Sequence, residues 1–186
     1  MIPRADRGRF AAAAASAMVS FATLSIFSSV GPGFLAGTLQ HDSHALAGAI
    51  TCATFLAGVV TQIALARLAA ARLVALGQAL AAAGLALLVA ALWIERMPIY
   101  IAAGLLAGAG CGVLFKGCIA TVNALAPEEA LAGLFVAAYC GTAIPTVALG
   151  LATQTLDAKV ALLAFALLMC GVIAGPGRRV RRPVAA

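Results

Sequence analysis

A lysine inside a long apolar stretch is the residue whose surroundings most suggest chemistry. Lys116 follows Gly104, Gly108 and Gly112 at intervals of four residues, so all four lie on one face of a helix. A charge within a membrane-spanning segment is costly and marks a functional site by default. We expect Lys116 to contact an anion or carboxylate in a central cavity, or to switch with conformation. The alternative is a side chain that snorkels to the membrane interface.

Hydroxyl side chains form two further stripes at helical spacing. Tyr139, Thr142 and Thr146 share one helix face, and Thr51 and Thr54 begin a similar stripe. Such stripes suit the lining of a solute pathway, and they also suit hydrogen bonds between Ser/Thr-rich helices. The predicted substrate-binding or pathway residues are Lys116, Tyr139, Thr142, Thr146, Ser20, Thr51 and Thr54.

Catalysis and cofactor binding find no support in the sequence. The chain lacks the P-loop, nucleophile-elbow and HExxH motifs, and its carboxylates fall in predicted loops or at predicted span ends. His41 and His44 flank Asp42, which could bind a metal, but a solvated loop is the favoured interpretation. We therefore expect no enzymatic activity, no metal site and no cofactor.

The composition specifies the environment of these residues. Of 186 residues, 64% are hydrophobic and only 10% are charged, whereas soluble domains carry roughly 25% charged residues. The five cysteines lie within apolar stretches without metal-ligand spacing, so we expect them to pack as small apolar groups. The chain is predicted to be a polytopic membrane protein.

Six apolar stretches are long enough for transmembrane helices. Their predicted bounds are 10–38, 45–66, 73–94, 99–123, 130–153 and 160–175. With six spans, the Lys and Arg residues outside the spans divide 9:2 between the two faces of the membrane. The positive-inside rule then places both termini in the cytoplasm. The net charge of +6 is attributed to this orientation, with no nucleic-acid partner.

A shift of 85 residues superimposes the first three spans on the last three. Thr61 then falls on Thr146, and the four residues from Ala45 fall on the identical four from Ala130. Polar residues also repeat, since the third and sixth spans carry almost none and the other four carry several. Three helices per repeat imply an inverted second copy, an arrangement found in secondary transporters. Spans one, two, four and five are predicted to line a cavity or an interface, while three and six face lipid.

Small residues and prolines are expected to shape the helices. Glycines that let helices approach closely are predicted at Gly104, Gly108, Gly112, Gly133 and Gly141. Pro32 and Pro145 lie inside spans and are predicted to kink them. Such kinks serve either as bending points or only as packing features.

Several segments together resemble the carboxyl-terminal six-helix half of a bacterial major facilitator superfamily transporter of the drug or sugar efflux type. They are FATLSIFSSVGPGFL from Phe21, HALAG from His44, GAGCGVLF from Gly108, and the stretch from Asn123 through YCGTAIPTVALGLATQ. The resemblance implies solute exchange by alternating access, commonly with proton antiport. The family's basic loop motif retains only Arg67 and Arg72 here, and a full transporter has two such halves.

The resemblance implies an all-α fold of two inverted three-helix repeats in a single domain, residues 1–186, in the bacterial inner membrane. The expected function is proton-coupled efflux of a small organic solute. The expected partner is an amino-terminal half or a second copy of this chain, because half of a carrier cannot alternate access alone. The alternatives are a non-transporting membrane assembly module and an inactive transporter fragment.

Overall fold

A computed structural model describes residues 6–125 and 127–175, the side chains of 127–129 excepted. Within this part of the chain the regular structure is helical. We number the helices α1 to α6 in chain order: Arg7–Gly37, His44–Ala64, Ala70–Ile94, Met97–Asn123, Pro127–Thr155 and Ala158–Ala174. The first five contain apolar stretches long enough to cross a membrane, and α6 is a shorter apolar helix of 17 residues. The architecture is compatible with a multi-pass membrane protein.

The helix ends follow local sequence signals. The Ser43 hydroxyl accepts a hydrogen bond from the Leu46 N–H at the start of α2, and the Asp157 carboxylate accepts one from the Lys159 N–H at the start of α6. Glu95 ends α3 in the left-handed conformation, with φ of 57°. These caps set each observed helix within a few residues of its predicted span.

Helix pairing is mostly between helices that are not consecutive in the chain. Besides the neighbours α3 and α4, the closest pairs are α2 with α4 and α1 with α5. Glycines permit this proximity, because a β-carbon at Gly77 or Gly84 of α3 would overlap the backbone of α4, and one at Gly141 would overlap Met18 of α1.

Each helix presents a different share of its surface to the outside. α2 has only three buried residues, Ile50, Thr54 and Gly58. Its outer face is apolar and includes Leu56, Val60 and Ile63. α3 and α6 each have one exposed apolar face and one buried face, and the single polar residue of α3 inside its predicted span, Gln78, is buried.

A short ion pair joins two loops at one end of the bundle. Lys159 Nζ lies 2.7 Å from Glu95 Oε1, which brings the α3–α4 connection next to the α5–α6 connection. A six-span topology puts these two loops on the same side of the membrane, and the ion pair places them at the same end of the bundle.

Candidate binding cavity

A cavity of about 410 Å³ lies between the α1–α5 pair and the α2–α4 pair. Neither α3 nor α6 contributes a lining residue, and none of the lining residues is charged. The lining comprises Phe21, Leu24, Ser25 and Ser28 of α1; Phe55, Gly58, Val59 and Gln62 of α2; Gly112 and Phe115 of α4; and Thr142 of α5.

Aromatic rings form one side of the cavity. Phe55 and Phe115 project from the α2–α4 pair, and Phe21 meets Phe115 edge-on with ring centroids 5.0 Å apart. Phe135 packs on Phe115 at 5.8 Å, and Tyr139 packs on Phe21 at 6.0 Å. These edge-to-face contacts orient the rings of Phe21 and Phe115.

The α1–α5 side of the cavity carries the hydroxyl groups, together with Phe21. Ser25 Oγ donates to the Ala22 carbonyl at 2.8 Å and lies 2.6 Å from Thr146 Oγ1. Ser28 Oγ donates to the Ser25 carbonyl at 3.1 Å. Because each serine hydrogen is used inside α1, the two serines offer the cavity only oxygen atoms, which accept hydrogen bonds.

Lys116 lies next to the cavity but its ammonium group binds the protein itself. Lys116 Nζ donates to the Gln62 carbonyl at 2.6 Å. Gln62 belongs to the last turn of α2, where carbonyls lack a helical partner. The next backbone donors go elsewhere, since the Leu65 N–H bonds Thr61 and the Ala66 N–H bonds Ile63. Lys116 therefore completes the end of α2, where a positive charge also suits the helix dipole.

The remaining predicted pathway residues are placed in different surroundings. Thr142 lines the cavity, Thr146 lies at its edge through Ser25, and Tyr139 is 65% exposed beside Phe21. Ser20 and Thr54 are buried and donate to carbonyls one turn earlier in their own helices, to Ser16 and Ile50.

A π-helical segment interrupts α1 where it borders the cavity. Residues Ile26–Val30 adopt the wider turn, and the Gly31 N–H bonds the Ile26 carbonyl. In this register the next carbonyl, that of Phe27, would face the nitrogen of Pro32, which has no hydrogen. Thr51 of α2 supplies the missing donor, with its Oγ1 2.8 Å from the Phe27 oxygen. Thr51 thus satisfies a break in α1.

The glycine face of α4 meets α2 directly. A β-carbon at Gly108 would overlap the Thr54 carbonyl, and one at Gly112 would overlap Gly58. One at Gly104 would lie 2.7 Å from Thr54 Oγ1, and one at Gly133 would lie 3.0 Å from the Phe10 ring. Pro145 lies inside α5, near the Ser25–Thr146 contact.

A smaller cavity of about 250 Å³ lies beside the α1–α2 loop. It is lined in part by His41, Asp42, Ser43 and His44. Among the described residues, no group of three or more His, Cys, Asp or Glu side chains is arranged to hold a metal ion.

Nine of the eleven lining residues are absent from the predicted site, among them Phe21, Phe55, Phe115, Ser25 and Ser28. One signal in the sequence could have found part of this set, because Phe21, Ser25 and Ser28 occur at helical spacing on α1. Phe55 and Phe115 look like ordinary lipid-facing residues until the pairing of α2 with α4 is known.

Comparisons of the chain with known protein families, curated proteins and solved structures found no match.

Proposed function

We propose that the chain is half of a secondary transporter of the major facilitator type. It moves a small organic solute by alternating access, most simply as proton-coupled efflux across the bacterial inner membrane. The observation that carries the proposal is the cavity, whose lining comes from α1, α2, α4 and α5. These are the four helices whose predicted spans hold most of the polar residues.

The hydrogen bonds between helices support an inverted repeat. Thr146 of α5 meets Ser25 of α1, and Thr61 Oγ1 of α2, which lies 2.8 Å from the Ala57 carbonyl of its own helix, is also 3.2 Å from the Ala109 carbonyl of α4. A shift of 85 residues carries Thr61 onto Thr146 and Ser25 onto position 110, next to Ala109. The pairs α2–α4 and α5–α1 correspond in the same way, as two copies of one three-helix unit require.

The proposed partner is a second half, either an amino-terminal half or another copy of this chain. α2 and α5 flank the cavity and expose apolar outer faces, including Ile63 on α2 and Ile144 on α5. A partner seated there would close the cavity from the side. Rocking of the two halves would then open it to alternate faces of the membrane, with both termini in the cytoplasm.

A non-transporting assembly module is the second candidate. The observation in its favour is that Thr51, Thr54, Thr61 and Ser20 form their hydrogen bonds within the bundle. In that function the stripes serve only helix packing.

Reconstitution into liposomes distinguishes these candidates. The full chain, alone and with a candidate amino-terminal half, is tested for flux of small fluorescent organic solutes under a pH gradient. Thr142→Phe fills the cavity and should abolish flux, whereas Ala164→Phe places the same ring on the exposed side of α6, outside the cavity and the proposed partner surface, and should not. Absence of wild-type flux in both arrangements would favour the assembly module.

A further inference from the structure

We infer that the cavity takes an uncharged aromatic solute that carries a hydrogen-bond donor such as N–H or O–H. This inference rests on the proposed solute pathway and defines the chemical class of its cargo. It follows from three properties of the lining: its charge, the shape of its apolar side and the polarity of its hydroxyl side.

The charge distribution disfavours both kinds of ion. No lining residue is charged, so a cation finds no carboxylate to pair with among the described side chains. The nearest ammonium, that of Lys116, is 2.6 Å from the Gln62 carbonyl, and Gln62 itself lines the cavity. Lys116 is not among the lining residues and its ammonium already pairs with this carbonyl, so an anion in the cavity meets no charged lining group.

The apolar side favours a ring. Phe55 and Phe115 stand on the α2–α4 pair with Phe21 beside them. Aromatic rings prefer edge-to-face or offset contacts with other rings. A volume of about 410 Å³ is within the size range of small-molecule pockets, roughly 300–1,000 Å³.

The two serines favour a donor on the solute. Ser25 and Ser28 already give their hydrogens to the Ala22 and Ser25 carbonyls, so they can only accept. A solute that bears only acceptors could pair with the Gln62 amide, which also lines the cavity, but would gain no hydrogen bond from these two oxygens. A solute lying between the two sides would place its ring against the phenylalanines and its N–H or O–H on a serine oxygen.

Three probes with one aromatic skeleton test the inference. N-phenyl-1-naphthylamine is neutral and has an N–H. Its N-methyl derivative lacks that donor, and 8-anilinonaphthalene-1-sulfonate adds a negative charge. Each is titrated by fluorescence against the full chain in lipid nanodiscs, and the Thr142→Phe signal is subtracted as membrane background. Ala164→Phe places the same ring on the exposed side of α6, which lines neither the cavity nor the proposed partner surface, so it is the matched control and should bind like wild type.

We expect cavity-specific binding of the neutral N–H probe and about fivefold weaker binding of the N-methyl probe, the effect of one hydrogen bond. Ser28→Ala should weaken the N–H probe by a similar factor and leave the N-methyl probe unchanged. The sulfonate should show no cavity-specific signal. The inference is overturned if the Thr142→Phe signal equals wild type for the neutral probe, or if the sulfonate binds more tightly in a way that Lys116→Gln abolishes.

The binding and flux measurements test the ligand class and the transport function independently. Neutral-probe binding without flux in liposomes would contradict the transport function and leave the ligand class standing. Flux of charged solutes alone would contradict the ligand class and leave transport standing.

Discussion

A single ammonium group joins two helices at the end of α2. Lys116 extends from α4 to a carbonyl that the geometry of a helix end leaves without a donor. The bond is charge-assisted and half-buried, so it should be stronger than an ordinary surface contact.

Removing this ammonium should destabilise the bundle. Lys116→Met keeps the length of the side chain and should lower the free energy of unfolding by about 1–3 kcal/mol, the cost of an unsatisfied polar group. Lys159→Met is the matched control, because its exposed ion pair with Glu95 should contribute about 0–1 kcal/mol. Unfolding in mixed micelles measures both, and equal losses would contradict the assigned role of Lys116.

The sequence indicated that Lys116 is special but not what it binds. Spacing along one helix shows which residues share a face, as with Gly104, Gly108, Gly112 and Lys116. The partner of that face depends on tertiary pairing, which placed α2 there and brought the Gln62 carbonyl within reach. The predicted anion contact remains a separate hypothesis, which the sulfonate probe addresses.

At the scale of elements, α1 lacks one backbone hydrogen bond, and a side chain of α2 replaces it. Pro32 removes a donor from α1, the π-helical turn Ile26–Val30 places the Phe27 carbonyl opposite it, and Thr51 restores a hydrogen bond from outside. The predicted kink at Pro32 is therefore coupled through this hydrogen bond to Thr51, a predicted pathway residue.

This coupling predicts a non-additive pair of substitutions. Thr51→Val should destabilise the bundle by about 1–2 kcal/mol, because the Phe27 carbonyl loses its partner. In a Pro32→Ala background the new N–H can take over, so the same substitution should cost about 1 kcal/mol less. Unfolding of the four proteins of this cycle measures the difference. Thr51→Ser keeps the hydroxyl and should resemble wild type, and additive losses would contradict the coupling.

The positions of the helices were predictable because long apolar stretches separated by polar loops set them. The predicted span 99–123, for example, agrees with the observed helix Met97–Asn123. The π turn was not, because its hydrogen-bond register depends on how Pro32 and Thr51 meet across two helices. The helices that line the cavity are those with several polar residues in their predicted spans. The contribution of the Phe55 and Phe115 rings could not be predicted, because it depends on the pairing of α2 with α4.

At the scale of the molecule, two native cysteines report on the proposed partner surface. Cys52 lies exposed on α2 and Cys140 lies exposed on α5, the helices that flank the cavity. Cys170 lies on α6 and is partly exposed.

Assembly with a partner half should shield the first two cysteines selectively. In native membranes, a membrane-permeant maleimide should label Cys52 and Cys140 at least several-fold more slowly than in the isolated monomer. Labelling of Cys170 should stay unchanged. Peptide mass spectrometry resolves the three sites, and equal protection of all three would point to another assembly surface.

The pairing of distant helices also has a consequence for biogenesis. α2 leaves the ribosome long before α4, yet it has only three buried residues, and the glycine face of α4 contacts two of them, Thr54 and Gly58. α1 is likewise synthesised before its partner α5, whose Gly141 lies against Met18. During synthesis these early helices must remain in lipid or beside the insertion machinery without their main partners. A nascent chain that stops before Met97 would therefore be a natural target for membrane quality-control proteases.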